Sequence, residues 1–394
     1  GAWRGGDPAA PAGSSRSARP SYAARLLRTV AAGFANPTPT ATGASSGGGA
    51  DDPVGGGVGD GQGPADRTGA RIPGGTGPPG AVPPRLRPAK GIHITVPASR
   101  LPCDMAAVLP GPGDKRSIFV IPWGEQVYVG TTDTDYRGSL DEPRATRDDV
   151  DYLLLALNAS VKDPLSAQDI SGVWAGLRPL LADPDASSAR TADLSRHHRV
   201  TVSPAGLVTV TGGKLTTYRR MAAETVDMVV RRIDSGQVSR RMRRCPTAAL
   251  RLWGSTGLAE LRDPGAAQRL GTDPATLDHL VGRYGGEATT VLAMVKEDPE
   301  LGGPLVEGLA FLAAEAIYAV RHEMAQTLND ILVRRTNALY RDRLAAVQAA
   351  PRVAALVAGE LGWDEAEVRR QVAEVLAKAA RDSEAAGLRR PARM

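Results

Sequence analysis

Aromatic and sulfur-containing residues are scarce in this chain of 394 residues, with 4% Phe, Trp and Tyr and only two cysteines. Cys103 and Cys245 lie far apart and belong to no CxxC or Cys/His pattern, so we expect no metal site and a reducing compartment. The formal charge of +5 is mild, and no Lys/Arg-rich run is interleaved with aromatics, which argues against a nucleic-acid partner. The longest apolar run, Leu309–Val320, contains Glu315 and is too short to span a bilayer. No apolar core follows the N-terminal arginines, so no signal peptide is predicted.

Lysine is absent from the first part of the chain, where the first lysine is Lys90. This part holds nearly half of all the glycines and prolines, in runs such as Gly47-Gly48-Gly49 and Gly55-Gly56-Gly57. Such a composition buries too little apolar surface to offset the entropy of ordering the chain. We therefore predict that residues 1–86 form a disordered or low-complexity segment.

Residues 87–244 have the alternation and turns of an α+β module. Apolar residues alternate at Ile92, Ile94 and Val96, which predicts a strand with His93 on its opposite face. Hairpins are predicted over Ser117–Gly130 and Arg199–Val210, and Thr146 with Asp149 has the spacing of a capping box that starts a helix.

Residues 245–394 are predicted to be almost entirely helical. An Asp273 or Thr272 cap, Pro274 and Gly285 bound one helix, since proline suits the first turn and glycine the end. The other helices are expected near Glu287–Glu297, Pro304–Met324, Thr327–Arg335, Arg341–Leu361 and Asp364–Ala386.

A strand–Gly-Gly–helix turn is the most informative local pattern. The strand Leu207–Val210 runs into Gly212 and Gly213, and Lys214 then opens a helical pattern. Free backbone N–H groups at such a helix start favour anions and electron-rich ring edges, and a lysine adds positive charge. The pattern alone is more often an ordinary connection with a solvated lysine.

Three side chains are candidates for proton transfer and for binding an anion such as a phosphate. A histidine accepts a proton near neutral pH, which makes His93 a candidate base, although a lone histidine on a strand is more often structural. Guanidinium forks match phosphate oxygens, which makes Arg178 and Arg196 candidates. A structural ion pair at Arg178 and a solvated loop at Arg196 remain the alternatives. His197 and His198 would bind a metal only with further ligands that the sequence does not identify.

Several motifs occur in an order that resembles the flavin-dependent, aerobic-type glycerol-3-phosphate dehydrogenases from about Arg87 to about Arg335. They are Lys90–Pro97, Ile118–Trp123, Val129–Asp135, Trp174–Leu180, Ser195–His198 and the turn Thr211–Arg219. The resemblance implies a partial FAD/NAD(P)-binding fold with an antiparallel substrate-binding sheet, followed by an all-α C-terminal domain. It also implies FAD as cofactor, glycerol 3-phosphate as substrate and a membrane quinone as electron acceptor.

The same resemblance assigns roles to individual residues. His93 is the base, Arg178 and Arg196 line the glycerol phosphate pocket, and Lys214 contacts the substrate or the flavin edge. The isoalloxazine ring is lined by Gly212, Gly213, Thr216 and Thr217. No metal is implied.

The chain departs from this family where the ADP half of FAD would bind. No GxGxxG turn follows a strand, and the family's second glycine-rich motif is also missing. The alternatives are an inactive truncated fragment and a related flavin-dependent amine or amino-acid oxidase. A cytoplasmic protein, peripheral on the inner face of the membrane, is expected, and a homodimer is left open.

Overall fold

The computed structural model describes residues 86–113, 116–181, 197–233 and 245–390. The predicted disorder of residues 1–86 lies outside these ranges, except at Leu86, which is already the first residue of a strand. Along the described ranges, β-strands come first and helices follow, as expected for an α+β module with a helical C-terminal region.

A six-stranded antiparallel sheet forms the first part of the described chain. Its strands are β1 (Leu86–Pro97), β2 (Ala107–Pro110), β3 (Ser117–Trp123), β4 (Gln126–Gly130), β5 (Thr134–Asp135) and β6 (Gly172–Leu181). The strands are ordered β2-β3-β4-β1, with β5 and β6 also paired to β1. The long β1 is therefore central, with β4 and β5 along one edge and β6 along the other. The hairpin predicted around Trp123-Gly124 is confirmed.

One face of this sheet is covered by helix α1 (Arg147–Asn158), which begins at the predicted capping box. Thr146 and Asp149 bond each other's backbone N–H groups. The even-numbered residues Ile92 and Ile94 of β1 are buried with Leu153 in one apolar cluster. The period-two alternation of β1 thus places its odd-numbered residues, including His93, on the opposite face.

A two-stranded hairpin, β7 (His198–Val202) and β8 (Val208–Gly212), turns at the predicted Pro204-Ala205-Gly206 segment. A short 3₁₀ turn, Leu215–Thr217, and helix α2 (Tyr218–Ile233) follow it. The strand–glycine–helix order predicted for this segment is confirmed.

The remaining described residues form the helical region. Its helices are α3 (Leu258–Leu261), α4 (Ala266–Leu270), α5 (Pro274–Tyr284), α6 (Ala288–Glu297), α7 (Ala313–Glu323), α8 (Ala338–Arg341), α9 (Arg343–Leu361) and α10 (Glu365–Ala385). Helix α5 has the predicted bounds, because Asp273 caps it and Gly285 ends it with a positive φ of 61°.

One predicted helix is shorter than its sequence pattern suggests, and another is partly a different type of helix. Only Ala313–Glu323 of the segment Pro304–Met324 is helical, since Pro304 and Leu312 instead pair across a loop in which Gly308 has φ 77°. Of the segment Thr327–Arg335, Asp330–Arg335 forms a π-helix.

Helix α9 is long and apolar enough to cross a membrane by length and composition. Here it is a core helix of the helical region, and its buried residues include Val347, Val353 and Val357. This burial accounts for its apolar composition without a membrane.

Candidate active site

The face of the sheet opposite α1 carries the predicted site residues His93 and Arg178. His93 lies opposite Gly130 of β4 and Trp174 of β6, and Arg178 of β6 lies opposite Ala89. Residues that are paired across antiparallel strands point to the same face. The sheet therefore brings together a candidate base and a candidate phosphate ligand that are 85 residues apart in sequence.

His93 is held by packing on both sides. A Cβ on Gly130 would overlap the His93 ring, so the imidazole lies over the bare Cα of that glycine. The Trp174 ring stacks on the imidazole at 5.0 Å with an angle of 14° between the planes, and Tyr128 meets its edge at 5.8 Å. Burial and the charge of Arg178 lower the pKa of His93 to about 4. The imidazole is therefore neutral at pH 7 and able to accept a proton.

Arg178 extends over Gly91, the residue two positions before His93 on the same face. Its guanidinium donates to Thr131 Oγ1 at 3.2 Å and to the Thr132 carbonyl at 3.1 Å. Asp133 lies within ion-pair distance, with Oδ1 at 3.5 Å from Nη1. Since successive residues on one face of a strand are about 7 Å apart, the guanidinium lies one such step from the imidazole. The structural ion pair weighed for Arg178 is present, and it orients the charge on the same face as His93.

Lys90 belongs to the same sequence motif as His93 but lies on the other face. Its Nζ is 2.5 Å from Asp149 Oδ2, and both side chains are nearly inaccessible to solvent. Lys90 therefore joins β1 to helix α1, and it is not part of the candidate site.

The glycine-lysine turn adjoins the end of β6. Gly212 and Gly213 have φ of 75° and 82°, a region that other residues rarely adopt. A Cβ on Gly212 would lie 3.1 Å from Cγ of Leu181, three residues beyond Arg178 on the same strand. Lys214 and Thr216 are exposed, and the Thr217 hydroxyl donates to the Lys214 carbonyl at 3.0 Å. The roles of these residues toward substrate and flavin remain predictions.

Two further predictions concern Arg196, before β7, and His198, its first residue. Arg196 lies outside the described residues, so its pairing with Arg178 is untested. His198 Nε2 lies 2.7 Å from Glu224 Oε2 of helix α2, and that carboxylate also binds Arg220. In the portions of the chain that the structure describes, no group of three His, Cys, Asp or Glu residues could hold a metal.

The pyrophosphate of FAD normally rests on the turn of a parallel βαβ unit. Every strand pair within the described ranges is antiparallel, so these ranges contain no parallel βαβ unit to support a pyrophosphate. The turn at Gly212 and Gly213, which precedes a helix start, is the part of these ranges that the sequence predicts to contact a flavin ring edge. Leu215 and Tyr218 near this turn are 88% and 56% exposed, and helix α2 has no buried residue. The described residues thus do not form the ADP half of an FAD site, and the flavin contacts at this turn remain a prediction.

Sequence reasoning did not assign roles to several residues of this site. Four of them lie within the recognised motifs: Gly91, Gly130, Asp133 and Trp174. The two glycines leave space for side chains from other strands, and Asp133 and Trp174 contact Arg178 and His93 across strands. Tyr340 lies outside those motifs. Its ring stacks on Trp174 at 5.3 Å.

Comparison with known families gives two matches that follow each other along the chain. Residues 68–219 match the family described as FAD dependent oxidoreductase, and residues 245–368 match the C-terminal domain of alpha-glycerophosphate oxidase. These matches cover the sheet with its hairpin and most of the helical region.

Proteins similar to this chain are glycerol-3-phosphate dehydrogenases. Glycerol-3-phosphate dehydrogenase 2 of Mycobacterium bovis is 42% identical over 298 residues, which are 75% of this chain and 49% of that protein. A mitochondrial glycerol-3-phosphate dehydrogenase of Arabidopsis thaliana is 34% identical over 304 residues, covering 73% of this chain and 47% of its own length. The chain thus spans about half the length of these relatives.

A solved structure is similar over the same part of the chain. The glycerol-3-phosphate dehydrogenase of Bacillus halodurans, complexed with FAD, superposes with a TM-score of 0.60 at 34% identity. The match covers 74% of this chain and 56% of the other.

Proposed function

Because this chain belongs to the FAD-dependent glycerol-3-phosphate dehydrogenases, we propose that the complete protein oxidises sn-glycerol 3-phosphate to dihydroxyacetone phosphate. The carbon that bears the secondary hydroxyl loses a hydride, and the hydroxyl loses a proton. FAD supplies the hydride acceptor when it is bound. The described residues of this chain supply the base and part of the phosphate site.

The observation that carries this proposal is the placement of Arg178 beside His93 on one sheet face. A phosphate monoester needs cationic donors, and Arg178 presents a guanidinium already oriented by Thr131 and the Thr132 carbonyl. Orienting the charge before binding lowers the entropy that binding costs. Arg196 and Lys214 are the further cations that we propose for the phosphate and for the substrate or flavin edge.

Substrate binding also improves His93 as a base. The Arg178 charge is one cause of the low pKa of His93. Burial is the larger cause and remains, but a bound phosphate dianion offsets the charge of Arg178, so we expect the pKa of His93 to rise in the complex. The general base thereby approaches the pKa that suits proton transfer near neutral pH.

We also propose a membrane quinone as the electron acceptor, and a cytoplasmic protein that approaches the inner face of the membrane peripherally. The formal charge of +5 supports the peripheral approach to the membrane, since a basic protein is attracted to anionic lipid. A homodimer remains a prediction.

Turnover by a fusion protein tests the proposed function. The dinucleotide-binding half of the Mycobacterium bovis relative would be joined to this chain, and dye-linked oxidation would be measured. We expect glycerol 3-phosphate to be oxidised and glycerol, glycine and D-amino acids to be left unchanged. Oxidation of glycine or D-amino acids instead would identify an amine or amino-acid oxidase.

A further inference from the structure

Three aromatic rings from distant parts of the chain form one stack that ends at His93. Trp174 of β6 lies between the imidazole, at 5.0 Å and 14°, and the ring of Tyr340 in helix α8, at 5.3 Å and 27°. Both faces of the indole are therefore occupied, one by the candidate base and one by the helical region.

Helix α8 is anchored to the sheet next to this stack. The Thr95 hydroxyl donates to the Tyr340 carbonyl at 2.7 Å, across 245 residues of sequence. A Cβ on Gly172 would overlap that same carbonyl, so the helix backbone rests directly on β6. The guanidinium of Arg341 lies 4.0 Å above the Trp123 ring and donates to the Trp123 carbonyl at 3.2 Å. The contacts of helix α8 with Thr95, Gly172 and Trp123 together restrict the position of the Tyr340 ring.

The imidazole itself is held without hydrogen bonds. Among the described residues, no hydrogen bond is found for either ring nitrogen of His93, and Gly130, Tyr128 and Trp174 pack against the ring. Its orientation therefore depends on stacking, and both nitrogens are left for a substrate.

We propose that Tyr340 is a positioning residue of the helical region that acts through Trp174 to hold His93 in its orientation and partly dehydrated setting. This inference rests on the proposed function only in taking His93 as the catalytic base. The effect of Tyr340 on the orientation and hydration of His93 is a property of this chain alone. Loss of the Tyr340 ring frees the indole on one face and allows water to reach the imidazole. The effect is a rise in the pKa of His93, because hydration favours the charged form.

Other titratable and charged groups also face this part of the sheet. They are Tyr128 from β4, Asp133 and Arg178 beside Gly91, and Tyr340 and Arg341 from α8. Repeating the titration in Asp133→Asn separates the effect of that carboxyl group from the effect of the stack.

Histidine-selective NMR of residues 1–394 measures the effect directly. The chain has five histidines, so the His93 signal is assigned by its absence in His93→Gln. We expect Tyr340→Phe to leave the His93 midpoint near 4. We expect Tyr340→Leu to raise it by about one pH unit, as for a group that regains part of its hydration.

A matched control is available in the helical region. Tyr318 stacks on His322 at 4.7 Å and 26°, so Tyr318→Leu should alter the His322 signal and leave the His93 signal in place. If Tyr340→Leu does not fold, Trp174→Phe, with a smaller central ring, should give a smaller shift of the same sign.

An unchanged His93 midpoint in folded Tyr340→Leu, or in Trp174→Phe if the former is unfolded, would overturn the positioning role. A shift in Tyr340→Phe equal to that in Tyr340→Leu would also overturn it, since that variant keeps the ring. The titration reads His93 without turnover, so its failure leaves the proposed oxidation standing, and failed oxidation by the fusion protein leaves the titration interpretable.

Discussion

The guanidinium of Arg178 occupies the space above Gly91 in which any other residue would place its side chain. A Cβ at position 91 would lie 2.6 Å from one terminal nitrogen of Arg178 and 2.5 Å from Thr131 Oγ1. The absence of a side chain at Gly91 therefore allows the guanidinium of Arg178, the proposed phosphate-binding group, to take this position.

Substitution of Gly91 tests this relationship. We expect Gly91→Ala to displace the guanidinium and to weaken glycerol 3-phosphate binding about tenfold or more, the scale of one charge-assisted hydrogen bond. Gly176→Ala is the matched control, because Gly176 is paired with Gly91 across β1 and β6 and its Cβ would meet nothing within 4 Å. Equal binding by both variants would show that Arg178 does not need the space over Gly91.

The stability of the chain should depend on the protonation of His93. Its pKa is about 4 in the folded chain and about 6.5 when unfolded, so the unfolded state binds more protons between these values. Stability is then fully present above pH 6.5 and is lost as the pH falls toward 4, by about 3 kcal/mol from this group. In His93→Gln we expect the loss between pH 7 and 4, measured by urea unfolding, to be smaller by roughly that amount. If the unsubstituted chain and His93→Gln lost the same free energy of unfolding between pH 7 and 4, the low pKa of His93 would be ruled out.

Lys90 is predicted to act in stability and not in substrate binding. Its ammonium is buried against Asp149, and removal of one partner of such a pair typically costs about 3–5 kcal/mol. Lys90→Met should therefore lower the free energy of unfolding by this amount while the folded fraction still binds glycerol 3-phosphate normally. A binding defect larger than the one in Gly91→Ala would instead indicate a direct role at the site.

We expect residues 1–394 to bind FAD weakly or not at all. The described strands provide no parallel βαβ unit for the pyrophosphate, and the turn at Gly212 and Gly213 offers few contacts for so large a cofactor. The absorbance spectrum of the purified chain should lack a stoichiometric flavin band, and the fusion to a dinucleotide-binding half should regain it. Stoichiometric FAD in the purified chain would contradict this expectation.

The elements that the sequence predicted well are those specified by neighbouring residues. The capping box at Thr146, the alternation around His93 and the stop at Gly285 all depend on residues within one or two turns. Their physics is local, so the pattern alone was sufficient. The family resemblance added the expectation that His93 and Arg178 share one site, and the structure has both on one face of the sheet.

The features that sequence analysis missed depend on contacts between distant segments. The space over Gly91 is filled by Arg178, and the stack on Trp174 is completed by Tyr340. The loop Pro304–Leu312 reads as helix because its residues are apolar, but pairing across the loop prevails. No spacing within a single element carries this information.

The most direct test of the proposed site is the response of His93 to substrate in the histidine NMR spectrum. We expect glycerol 3-phosphate, and not glycerol, to raise the His93 midpoint, because the phosphate offsets the charge of Arg178. The response should disappear in Arg178→Ala and persist in Arg321→Ala, whose guanidinium pairs with Glu360 in the helical region. A response of equal size to glycerol, no response to either compound, or an undiminished response in Arg178→Ala would contradict the assignment of this sheet face as the glycerol 3-phosphate site.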